Sequence, residues 1–141
     1  MKKIKHLLIV MLALVGLSSN GQFVQQGPKL FGTGAIGTAD QGDRVSISGD
    51  GNTAIVGGYA DNGGIGAAWI YTRSGGVWSQ HGSKLVGTGF VNVQFNPNQG
   101  SSVAISADGN TAIIGGPNDD STVGAAWIFI CLLYTSPSPR D

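Results

Sequence analysis

The chain has 141 residues, with eight Lys and Arg against eight Asp and Glu, so its formal net charge is zero. That balance is set by the two ends: residues 22–130 hold Lys29, Arg44, Arg73 and Lys84 against seven Asp and no Glu, a net of −3. Such a stretch offers no basic surface to a phosphate backbone, which excludes nucleic acid as a partner. It also lacks Cys, so it has neither a disulfide framework nor a thiolate metal site.

Residues 1–21 read as a secretory signal peptide. Lys2, Lys3 and Lys5 give a basic start, and residues 7–17 form an apolar run of eleven, well under the ~18 residues that a spanning helix needs. Ser19 and Gly21 are small residues at the −3 and −1 positions of a cut before Gln22, as a signal cleavage site requires. The expectation is a secreted or cell-surface protein with no membrane span after cleavage. An uncleaved anchor is the alternative; no Cys follows the apolar run to make a lipoprotein.

The first element after the signal, residues 23–34, returns as residues 78–89 with seven of twelve positions identical. A connection follows, seven residues long at 35–41 and ten at 90–99. Length changes belong in loops, and Asn96-Pro97-Asn98 in the longer copy marks one. Residues 44–48 alternate polar and apolar and read as a strand, copied at 102–106. Asp50-Gly51 and Asp108-Gly109 are tight hairpin turns, because Gly accepts positive φ and Asp bonds its own backbone.

The return strand, residues 53–58, is apolar on both sides and is expected to be covered on both faces. Residues 59–64 are a loop rich in Asp, Asn and Gly, and residues 66–73 are a further strand with two apolar faces. Ser74-Gly75-Gly76 turns the chain into Val77-Trp78, where the second copy of the first element begins. Aligning residues 42–71 with 100–129 gives 18 identities in 30 positions. No stretch after residue 22 repeats apolar residues at helical spacing over three turns.

Self-similarity at a fixed period marks a repeat architecture. About four short strands per repeat of about 55 residues predict an all-β fold of antiparallel four-stranded β-propeller blades. The repeats are residues 22–76 and, incompletely, 77–130. They make about two blades of an incomplete propeller, a fragment for which further blades of the same chain are expected. A blade buries its faces only against neighbours, and the outermost faces are expected to carry Ile55, Ile70, Ile113 and Ile128. A β-sandwich is the alternative, disfavoured by the identity of the copies. Residues 131–141 hold the only Cys and two of the five Pro. They read as a disordered tail or as a non-native segment resembling a translated sequencing adapter, and stand outside the fold reasoning.

In this pattern the chain resembles the FG-GAP repeat family, whose members include the integrin alpha-chain β-propeller and bacterial secreted proteins. Residues 99–106 lie at the family's Phe-Gly position, Gly115-Gly116-Pro117 at its Gly-Ala-Pro position, and residues 124–129 at its closing Gly-x-Val-Tyr-Val-Tyr strand. In the first copy Tyr59 replaces the Pro. The resemblance covers residues 23–130 and implies a binding or cell-adhesion scaffold with an unknown protein or glycan ligand. It also points to calcium, held in such blades by a loop of the form Asp-x-Asp-x-Asp-Gly. The corresponding positions here are Asp50, Asn52, Asp108 and Asn110, with one carboxylate per loop. Calcium takes six to eight oxygens, so a plain hairpin turn is the competing assignment.

No catalytic residue is nominated, and the chain is expected not to be an enzyme. His81 is the one His after the signal, and its counterpart in the first copy is Gln26, the behaviour of an exposed polar position. Asp119 and Asp120 read as a solvated loop pair; an acid–base couple is the alternative. The Gly-rich stretches lack the Lys-Ser/Thr ending that phosphate binding needs. Trp69 and Trp127 lie in apolar strands and read as core, although Trp69, Trp78 and Trp127 also suit stacking on sugars. The alternative function is therefore that of non-catalytic blades in a secreted carbohydrate-active enzyme whose active site lies elsewhere.

Overall fold

The computed structural model describes residues 21–132. All but the last residue of the expected signal peptide and all but the first two residues of the tail lie outside the described residues. Within them the protein is mostly β, as two antiparallel sheets.

Strands β1 (Val45–Ile47), β2 (Thr53–Gly58), β3 (Ala67–Ser74) and β4 (Val77–Gln80) form a four-stranded meander in chain order. Strands β5 (Ser102–Ile105), β6 (Thr111–Gly116) and β7 (Ala125–Ile130) form a three-stranded one. The β3–β4 turn is the two-residue Gly75-Gly76, both with positive φ, the geometry whose twist matches the flanking strands. The sheets do not coincide with the sequence copies, since β4 opens the second copy and closes the first sheet.

The repeat extends to register. Ile55 lies opposite Ile70 and Val56 opposite Trp69; 58 residues on, Ile113 lies opposite Ile128 and Ile114 opposite Trp127. Both faces of β2 and β3 are covered, as their two-sided apolar sequence requires. On one face Ala67, Trp69 and Tyr71 pack with Ala39, Ala54, Val56 and Trp78. On the other, Ile55 and Ala68 meet Ala112 and Ile114 of the second sheet, flanked by Ile70, Val103, Ile105 and Phe129. The two sheets are therefore stacked face to face.

This stacking corrects one expectation. Ile55 and Ile70 do not lie on an outer face, because the second sheet covers them. Ile55 is 0% exposed, whereas its copy Ile113 is 42% exposed and Ile128, the copy of Ile70, is 68% exposed. The other outer face carries Val45 and Ile47, both exposed. Among the described residues the same text thus has two environments, covered by a second layer at Ile55 and open at Ile113. Among the described residues, no helix is long and apolar enough to cross a membrane.

Candidate functional site

The Asp-Gly turns sit side by side at one end of the stacked sheets, with the Gly49 N–H donating to the Ala107 carbonyl at 2.9 Å. In the first turn Asp50 Oδ1 accepts from Ser48 Oγ at 2.6 Å and from the Asn52 N–H at 2.9 Å, while Oδ2 accepts from Asn52 Nδ2 at 3.1 Å. Asp108 repeats the arrangement with Ser106 and Asn110. The Ser hydroxyl and Asn donors hold both carboxyls below the ordinary value of 3.8, because hydrogen bonds to the charged form favour it.

This donor set does not fit calcium. Each carboxylate already accepts three donors from its own loop, and Asn52 turns its amide nitrogen toward Asp50 while its oxygen accepts from Arg73 Nε at 3.1 Å. A hard cation needs several converging oxygens. Among the described residues, no group of three or more His, Cys, Asp or Glu side chains is placed to hold a metal. The turns close hairpins, each Asp satisfying the backbone of its own loop as Asx turns do.

Two buried polar devices have roles that the sequence reading did not assign. The first is an amide clamp: Gln99 Oε1 accepts from the Gly87 N–H at 2.6 Å and its Nε2 donates to the Gly87 carbonyl at 3.0 Å. Gln41 grips Gly32 in the same way. Each clamped Gly lies flat against an indole, so that a Cβ there would overlap Trp69 or Trp127. Those indoles donate to the Thr33 and Thr88 carbonyls at 2.8 and 2.9 Å. Trp69 is accordingly buried core and Trp127 half-buried.

The second device is carried by Asp61 and Asp119, which open the short turns Asp61–Gly64 and Asp119–Thr122. Asp61 Oδ1 accepts from the Ile36 N–H and Asp119 Oδ1 from the Val91 N–H, at 2.7 and 2.8 Å. Asp61 also forms a buried ion pair with Lys84. The expectation of a solvated Asp119–Asp120 pair is corrected here: Asp120 is exposed, but Asp119 is buried and serves its loop backbone. The signal was present, since Asp61 and Asp119 match across copies inside loops that otherwise diverge.

Between the ends of the sheets lies an apolar cleft of about 560 Å³, lined by Ile70, Leu85, Ile105 and Phe129, with His81 and Lys84 in its wall. His81 is exposed, and Lys84 is engaged by Asp61. The cleft therefore presents mainly apolar surface beside a cation that is already ion-paired. No protein-family profile, curated protein or solved structure matches the chain.

Proposed function

We propose that the chain forms blades of a secreted or cell-surface β-propeller that acts as a binding or adhesion scaffold. One observation carries this reading: the same three-strand meander is made twice in the same register, and the copies stack face to face. Stacked meanders with short, polar connections are the units of a propeller, and further blades of the same chain complete it. The resemblance to FG-GAP repeats agrees with this. Buried polar groups are spent on clamps and turns, which suits a rigid frame that presents loops to a protein or glycan ligand.

The test is to immobilise the exported protein and screen it against glycans and extracellular proteins. Saturable binding without turnover is expected, whereas hydrolysis of a bound glycan would overturn the scaffold reading in favour of a carbohydrate-active enzyme. Export is tested separately by fusing residues 1–22 to a reporter, which should leave the cytoplasm.

A further inference from the structure

The expected cut after Gly21 places Gln22 at the head of the mature chain. Gln22 is exposed, and so are the residues after it as far as Phe31. The first side chain of this arm that another element holds, among the described residues, belongs to Gln26. Its Oε1 accepts from Arg73 Nη1 at 3.2 Å and from Trp78 Nε1 at 3.1 Å. Arg73 is itself fixed by Asn52 Oδ1 at 3.1 Å and lies 5.5 Å from the centre of the Trp78 ring. Gln25 turns its amide onto the Gly27 carbonyl at 2.9 Å. Gln22, Gln25 and Gln26 thus differ in one respect that matters chemically. At Gln22 alone the cut would leave an α-amine on the same residue as a side-chain amide.

Such a residue is reactive. The amine and the side-chain carbon Cδ belong to one residue, so attack closes a lactam ring without moving any neighbour, and proximity stands in for concentration. An α-amine has a pKa of about 7.7–8.0, so a useful fraction is neutral and nucleophilic near neutral pH.

We propose that the mature chain begins with the lactam of Gln22, a pyroglutamyl residue. The α-nitrogen forms a bond to Cδ, the bond from Cδ to Nε2 breaks, and Nε2 leaves as ammonia with one proton from the attacking amine. Nothing is oxidised or reduced, and no co-reactant enters. The proposal rests on the export reading and does not depend on the ligand-binding role.

The lactam removes the terminal positive charge and the free amine that an aminopeptidase grips. Exposed termini are where trimming concentrates, and residues 22–25 lie ahead of the first tie to the sheet. Trimming past them would remove the oxygen of Gln26 that Arg73 and Trp78 share. The modification therefore preserves the tie between the arm and the β3–β4 hairpin.

The test is the mass of the full chain, expressed with residues 1–21 in a secreting host, collected outside the cytoplasm and measured at once. Its N-terminal peptide is expected to begin at Gln22, to be lighter than the encoded peptide by one ammonia, to refuse an amine-reactive label and to survive a broad aminopeptidase. Gln22→Ala keeps Ser19 and Gly21 at the cut; its peptide should show the encoded mass, take the label and be shortened by the same aminopeptidase. An exported chain that begins at Gln22 with a free amine overturns the proposal and leaves the export reading standing, as does an exported chain that begins at another residue. A chain that stays in the cytoplasm with residues 1–21 attached overturns both.

Discussion

At the scale of single residues, the turn carboxylates give a signed pH effect. Asp50 and Asp108 are held below 3.8 by the Ser48 and Ser106 hydroxyls and by the Asn52 and Asn110 amides. A lowered folded value means that the turns contribute stability present above about pH 3.8 and lost as the pH falls through the lower folded value. Replacing Ser48 by Ala should move the Asp50 midpoint up toward 3.8 in an NMR titration; an unmoved midpoint would mean that the hydroxyl is not the cause. Because the same carboxylates are filled by their own loops, melting in calcium and in chelator should give one midpoint. A rise of several degrees in calcium would make these turns ligand sites. Tyr71 offers a third test. Its hydroxyl is buried without a hydrogen-bond partner, and the other copy has Phe129 in its place. Tyr71→Phe should stabilise the protein by about 1 kcal/mol, read as a higher melting temperature, since an unsatisfied buried donor is removed. A loss of stability would show that the hydroxyl has a partner.

At the scale of elements, the strands and hairpins were legible because their signals are local. Alternation marks β1 and β5, two-sided apolarity marks β2, β3, β6 and β7, and Gly marks the turns. The clamps were not legible, because a Gln in a loop has no local signature. Gln99 is buried where its side chain grips Gly87, which lies against Trp127, and its backbone bridges to Gly66 and donates to the Ile65 carbonyl. Asp119 looked solvated for the same reason: its partner is the backbone of Val91, 28 residues away. Gln99→Ala should cost about 2–4 kcal/mol in denaturant unfolding, because it leaves the buried N–H and C=O of Gly87 unpaired. Gln41→Ala should cost less, since the Gln41–Gly32 pair is only part-buried. Equal and negligible losses would remove the clamp from the account.

At the scale of the whole molecule, the repeat in the sequence becomes a repeat of register and then a stack of sheets. Two-sided apolarity in β2 and β3 showed that both faces would be covered, but not which layer covers which face. That depends on order in the stack, a property of neighbours rather than of residues, so Ile55 and Ile113 are written alike and live differently. The pair therefore supplies the most direct test. Ile55→Ala should destabilise by about 2–5 kcal/mol, as truncation at a fully buried site does. Ile113→Ala, the same change 58 residues later on the open face, should cost under about 1 kcal/mol. Equal losses at the two positions would contradict the face-to-face stacking of the sheets.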